Sequence, residues 1–456
     1  MRPEQRTSND GSLAAFLFVG LALFYLVGTL VGPRVPDSKQ SDYCVSNYDF
    51  VWIFGHSLNC DSSEFLVNAK DPSMLLAPDS MRQERPGASA LVYVISWPLD
   101  AVYRALAGSR LQIERNADPS GRIAPDRVER IQDKAQFVPQ YVGFIALHAL
   151  TLAACLGLYA YSIGLGALRW EHLSLPSFWL GLLFVVNNVT KQFFWSPHTQ
   201  LLNILAAVGG VAACVALAES ARRHRLYWAV SFAFGVMMLF YGAFLVPVVV
   251  TGLIYLYLES RDNRLSLRFL RRLLTKNLVA VALFVAPYAA WYASVIFLNG
   301  AFNHFSLDEH GHLVWVTETY ASEGIWPVVK QYADYWYRFS RNAFIQGWGF
   351  LILLAALGAF VMRTEPARGS VPGARSDIAI LSSLLSILVV SLLNALYASP
   401  ALRLAYSAIF PLFIILGVFM RRVETNPDYA RALMNATVCG LTLYTIWMVV
   451  KFGPYS

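Results

Sequence analysis

Charged residues are scarce in this chain, 14% of 456, against roughly 25% in soluble domains. That shortage excludes a soluble globule. Cysteines are few, five in all, and no two are spaced as Cys-x-x-Cys, which removes zinc-ribbon and thioredoxin-like chemistry. There is no Gly-rich phosphate loop. The net charge of +7 forms no nucleic-acid patch, because its Arg residues cluster in short loops between apolar runs. They report topology and exclude a polyanion partner.

What the chain has is apolar sequence, 56% hydrophobic and 14% aromatic. Runs of about 18 to 22 apolar residues are each long enough to cross a hydrocarbon core of roughly 30 Å. The chain is therefore expected to be an all-α polytopic membrane protein, a single membrane-embedded domain over residues 1–456 with about 11 transmembrane helices. Spans are expected near 13–32, 140–163, 177–190, 200–219, 226–240, 242–258, 278–298, 346–362, 378–397, 404–420 and 432–450. The first run, Gly11 to Gly32, is too long for a signal-peptide core and lacks a small-residue cleavage site, so it reads as a retained helix.

Short basic loops should face the cytoplasm: Arg222, Arg223 and Arg225; Arg261 to Lys276; Arg363 and Arg368; Arg421, Arg422 and Arg431. With the N-terminus inside, eleven spans satisfy all of them. The apolar stretch Ser89 to Ala107 would break this parity if it crossed. It also carries Trp97-Pro98, Asp100 and Arg104, which suit a helix at the interface. Residues 33–139 then form one extracytoplasmic loop with juxtamembrane helices, and residues 299–345 a second. Two crossings must fit between Leu226 and Leu258, so Phe240-Tyr241-Gly242 is the expected outer turn, placed to line a cavity.

The first loop is rich in acids: Asp42, Asp49, Asp61, Glu64, Asp71 and Asp79, followed by Arg82, Glu84 and Arg85-Pro86-Gly87. Most are ordinary solvated charges. Asp61 opens a short amphipathic stretch, Asp61-Ser62-Ser63-Glu64-Phe65, where it suits a helix N-cap as well as chemistry. Cys44 and Cys60 share this loop and are the one pair placed to form a disulfide, since Cys155, Cys214 and Cys439 sit in apolar runs.

Asp61-Ser62-Ser63-Glu64-Phe65 and Arg85-Pro86-Gly87-Ala88 resemble the first-loop acidic motif and Pro-containing step of the GT-C superfamily of integral membrane glycosyltransferases. Ser62 stands where a second acid is common and Phe65 replaces Tyr, so Asp42 and Asp49 remain rivals for the catalytic place. Phe194-Trp195-Ser196-Pro197-His198-Thr199-Gln200 is similar to an external Ser-Pro turn of these enzymes. Ser399-Pro400-Ala401-Leu402-Arg403-Leu404-Ala405-Tyr406 is similar to a stretch that contacts carrier-lipid phosphate.

The resemblance implies transfer of a sugar from a polyprenyl-phosphate donor to a lipid or glycan acceptor, with or without a divalent cation such as magnesium or manganese. It implies an active site at the extracytoplasmic face, and the compact loops lead to the expectation of a bacterial inner membrane with that face toward the periplasm or exterior. It casts Asp61, Asp49 or Asp42 as general base, and Arg403, Lys191, Arg85 and Arg82 as cations for the donor phosphate. Glu64, His198, Gln200, Tyr241 and Tyr406 are the candidate substrate contacts. Lys191 better suits an interfacial lysine reaching the headgroups.

Weaker signals remain. His304, Asp308, Glu309, His310 and His312 crowd the second loop, but their spacing matches no metal-ligand pattern and a solvated turn is the simpler reading. His148 lies within an apolar span, where polar residues are costly and worth attention. The run Tyr332 to Arg338 has the composition of an interfacial aromatic belt. The rival functions are a transporter or flippase of lipid-linked glycans, for which matching interrupted segments in the two halves are not evident, and a membrane acyltransferase, whose histidine would be His198 or one of the His310 group.

Overall fold

The computed structural model describes residues 3–31, 45–49, 55–59, 61–77, 80, 82–107, 137–165, 173–263, 266–303, 313–363, 374–397, 402–425 and 427–451. Asp42, Cys44, Cys60 and the 304–312 group fall outside these, so the expected disulfide does too. The side chains of Asp49 and Arg403 are likewise outside the described ones.

The chain is a helical polytopic membrane protein. In order it forms α1 (Pro3–Val31), a hairpin of β1 (Val45–Asp49) and β2 (Gly55–Asn59), α2 (Ser62–Lys70), α3 (Pro86–Ala107) and α4 (Val138–Ser162). Next come two short helices, α5 (Pro176–Trp179) and α6 (Asn188–Phe193), then α7 (Leu202–Glu219), α8 (Arg223–Met238) and α9 (Leu245–Asp262). The remainder is α10 (Leu267–Asn299), α11 (Val314–Glu323), α12 (Ile325–Arg363), α13 (Ala374–Leu396), α14 (Leu402–Glu424) and α15 (Pro427–Val450). The hairpin is antiparallel, pairing Val45 with Asn59 and Asp49 with Gly55.

Among the described residues, nine helices are long and apolar enough to cross a membrane: α1, α4, α7, α9, α10, α12, α13, α14 and α15. They coincide with nine of the eleven expected segments. The other two differ in form. Arg223–Met238 is a 16-residue helix. The expected span at 177–190 is no single helix: α5 passes into a 3-10 stretch, Leu180–Phe184, and then breaks before α6.

Buried side chains hold the break, Thr190 Oγ1 among them, which donates to the Phe184 carbonyl at 3.4 Å. Asn187, fully buried, takes the Thr190 N–H on its Oδ1 at 2.9 Å and gives its Nδ2 to the carbonyls of Leu183 and Phe184 at 3.1 and 2.9 Å. An interrupted helix inside a membrane protein must find such partners for its freed backbone groups. Hydropathy could not reveal the break, because Phe178, Trp179, Leu182 and Phe184 are buried on every side of it.

The central helix is α14, whose apolar window is the most buried of the nine. Phe413 on it lies 4.8 Å from Phe350 of α12 and 5.5 Å from Phe184 of the broken segment, ring centre to ring centre. Lipid tails are as apolar as this core, so shape and close approach supply the cohesion. The peripheral α10 packs on α8, where Gly235 lies directly against the Phe284 main chain.

Two further helices have features of their own. α3 is not among the nine; it seats Ala88, Val92 and Ser96 inward and exposes Val94, Trp97 and Val102. α12 runs unbroken through Tyr332 to Arg338, so those aromatics belong to the helix. Its 39 residues span about 58 Å at 1.5 Å each, since no proline follows Pro327 until beyond Arg363. Gly324, at φ +85°, makes the corner between α11 and α12.

Candidate active site

Asp61 stands at the N-terminal boundary of α2, but its side chain makes no capping hydrogen bond. The carboxylate turns to other partners. Arg82 places Nη2 2.6 Å from Oδ1, and His198 places Nε2 3.2 Å from Oδ2. The Asp61 side chain is 38% exposed, whereas those of Arg82 and His198 are 8% and 5% exposed. A partly open carboxylate is thus gripped from behind by two buried groups.

Local packing explains the grip. Phe65, one turn along α2 and fully buried, carries the Arg82 guanidinium over its ring at 4.7 Å and meets His198 edge-on at 5.5 Å. A hydroxyl pair, Ser62 Oγ and Ser196 Oγ at 2.9 Å, ties the start of α2 to the turn after α6. Two sequence motifs more than a hundred residues apart therefore meet at one carboxylate.

The imidazole roles are fixed by neighbours. His198 Nδ1 accepts the Gln200 backbone N–H at 2.9 Å, so its proton belongs on Nε2, which donates to Asp61. Beneath it, His148 of α4, 2% exposed, sets Nδ1 and Nε2 each 2.8 Å from the carbonyls of Phe194 and His198. It clips the turn that presents His198. This is a positional role, which accounts for a histidine within an apolar span.

A cavity of ≈ 360 Å³ opens nearby. Glu84, Arg85 and Tyr241 line one part, and Ala206, Val246 and Val390 are among its apolar walls between α7, α9 and α13. The Arg85 guanidinium lies over the Tyr241 ring at 5.2 Å. The Tyr241 hydroxyl donates to Gln200 Oε1 at 2.8 Å and accepts from Asn203 Nδ2 at 3.2 Å. Hydrogen bonds thus run from the cavity wall through Gln200 to His198 and Asp61.

The Arg82–Arg85 turn is anchored as well. The Gly87 N–H donates to the Leu239 carbonyl at 2.8 Å, and a Cβ at Gly87 would lie 2.6 Å from the Phe240 ring. Gly87→Val is expected to displace this turn and lower stability by about 1–3 kcal/mol, as overpacking does. The check is a thermal melt of the purified variant, which should fall by several degrees.

Of the sequence candidates, Asp61, Arg82, His198, Gln200, Tyr241 and Arg85 are drawn into one connected arrangement. Glu64 is buried one turn after Asp61's position. Lys191 and Tyr406 are not part of it. Lys191 Nζ donates to the carbonyls of Met448 and Lys451 at 2.7 and 2.6 Å, closing the end of α15. Tyr406 takes the Asn188 amide at 3.1 Å. Arg403 lies in α14 four residues before Ser407, which lines the cavity. Asp49 ends β1. Asn203 and the cavity role of Glu84 escaped the sequence reading; the signal for Asn203 was a lone amide opening an otherwise apolar helix.

Among the described residues no three His, Cys, Asp or Glu side chains gather as ligands for a divalent cation, and the Arg82 guanidinium on Asp61 disfavours one at that carboxylate. Fold and site together define a polytopic helical membrane protein with a buttressed carboxylate beside an amphiphilic cavity. No family model, curated protein or solved structure matches the chain.

Proposed function

We propose that the chain is a glycosyltransferase of GT-C type, moving a sugar from a polyprenyl-phosphate donor to an acceptor hydroxyl at the extracytoplasmic face. The reading includes eleven crossings, the N-terminus inside, and residues 33–139 and 299–345 outside. It also places the chain in a bacterial inner membrane, with a lipid or glycan as acceptor.

The observation that carries it is Asp61: its carboxylate is partly open, is not used as a helix cap, and is oriented by Arg82 and His198. Such a group suits a general base. It would take the proton of the acceptor hydroxyl as that oxygen bonds to the anomeric carbon. The bond from that carbon to the phosphate oxygen breaks, and the polyprenyl phosphate leaves with the electron pair, inverting the centre. Arg85 at the cavity is the cation for the charge that develops there, with Arg403 as its expected companion. The apolar walls suit the first part of the carrier chain.

Ala207 lines the cavity with an apolar side chain, so it offers a clean test. Ala207→Phe is expected to raise the KM for a polyprenyl-phosphate sugar by about 10-fold or more, roughly the loss of 1.4 kcal/mol in binding, with kcat little changed. Unaltered KM would remove the cavity from the mechanism. The broken segment at 176–193 favours a second reading, transport of a lipid-linked glycan. Vesicles that move the intact donor across the bilayer without releasing free polyprenyl phosphate would establish that reading instead.

A further inference from the structure

Tyr241 belongs to two environments at once. Its ring lines the cavity and stacks under the Arg85 guanidinium at 5.2 Å. Its hydroxyl faces away from solvent into a run of buried amides: Asn203, 4% exposed, and Gln200, 2% exposed. Among the described residues, Tyr241 is the one hydrogen-bond partner of the Gln200 side chain, because Gln200 Nε2 is buried without an acceptor. The Gln200 main chain in turn fixes His198 Nδ1, and His198 Nε2 fixes Asp61.

A second route closes the circuit. Arg82 and Arg85 flank one turn, joined by the Arg85 N–H to Arg82 carbonyl bond at 3.0 Å. Arg82 holds Asp61 and Arg85 holds Tyr241. Asp61 and the cavity wall are therefore linked by two separate chains of contact. Tyr241 itself has extended backbone, φ −161° and ψ 132°, between α8 and the short 3-10 turn before α9. Its N–H donates to the Met237 carbonyl at 3.0 Å and its carbonyl accepts from the Phe244 N–H at 3.3 Å, so it joins the two elements.

Resting on the reading of Asp61 as base, we infer that Tyr241 is a positioning residue: through Gln200 and His198 it sets the Asp61 carboxylate according to what occupies the cavity. An anion drawn to Arg85 changes the load on the Tyr241 ring. The hydroxyl carries that change to Gln200, and the His198 bond carries it to Asp61. Occupancy of the donor cavity then tunes the base before the acceptor is deprotonated.

Tyr241→Phe keeps the ring, its seat in the cavity and the Arg85 contact, and removes the hydroxyl alone. The expected result is a kcat lower by about 10- to 100-fold, the scale of a small misplacement of a catalytic group, with donor KM within about twofold. Gln200→Leu should give the same loss, and the double variant no further loss, because the two act in series. Side-chain 15N NMR of histidine-labelled protein supplies a readout independent of turnover. The His198 signals, identified by their disappearance in His198→Gln, should show Nε2 protonated in the parent and move in Tyr241→Phe. They should also move when polyprenyl phosphate is added to the parent and move markedly less when it is added to Tyr241→Phe, where only the route through Arg82 remains.

An unchanged kcat overturns the inference, as does a raised KM with unchanged kcat, which would make Tyr241 a cavity wall only. If no donor sugar is transferred by the parent protein, the glycosyltransferase reading fails while the NMR arm still decides. His198 signals indifferent to the Tyr241 hydroxyl would then reject the coupling by themselves.

Discussion

Asp61→Asn is expected to cut sugar transfer by about 10²- to 10⁴-fold, the usual contribution of a positioned general base. Asparagine keeps the shape, but its single oxygen can accept from Arg82 or from His198 and not from both, and it cannot take the acceptor's proton. Because the Asp61 side chain caps nothing, α2 should persist. The Arg82 guanidinium loses its anionic partner yet retains the Phe65 ring at 4.7 Å, so the stability loss should stay below the roughly 3–5 kcal/mol seen when a fully buried pair is broken. Transfer rate, thermal melt and polyprenyl-phosphate binding measured on one preparation separate these effects. Full activity would contradict Asp61 as the base, and would move the role to Asp42 or Asp49 or end the glycosyltransferase reading.

Gly235→Leu is expected to have the largest structural effect. A Cβ at this position meets the carbonyl of Phe284, with the Phe284 carbonyl carbon at 2.9 Å. Both atoms are main chain and cannot swing aside. Small residues at helix crossings in membranes allow this approach, and leucine must separate α8 from α10 at a cost of about 3 kcal/mol or more. The consequence reaches the site, since α8 leads into Tyr241 and α10 supplies Tyr288 to the cavity. The variant should purify in low yield and elute as aggregate on size-exclusion chromatography. Gly20→Leu is the control, because a Cβ there has nothing within 4 Å.

Among the described residues, the nine helices long and apolar enough to cross a membrane were legible in the sequence because length and hydropathy are local properties. The interruption at 180–187 was not, since Asn187 and its carbonyl partners make a break that an apolar run conceals. The exclusion of Ser89 to Ala107 from the spanning set rested on charge parity, with Trp97-Pro98, Asp100 and Arg104 beside it; α3 is not among the nine. The sequence left open whether Asp61 is a cap or a chemical group. Its phosphate candidates divided: Arg85 lines the cavity, Arg82 pairs with Asp61, and Lys191 closes a helix end. None of those destinations is encoded nearby, because each depends on which helix packs opposite. The turn Phe240-Tyr241-Gly242 was placed by charge parity alone, and Tyr241 does line the cavity.

The most direct measurement is release of free polyprenyl phosphate by the purified, lipid-reconstituted protein. It would be incubated with a panel of radiolabelled polyprenyl-phosphate sugars and, separately, acyl donors. Release from at least one sugar donor, matched by label in an acceptor and lost in Asp61→Asn, is the expected result. Acyl transfer, movement of the intact donor across the bilayer, or release that survives Asp61→Asn would contradict it.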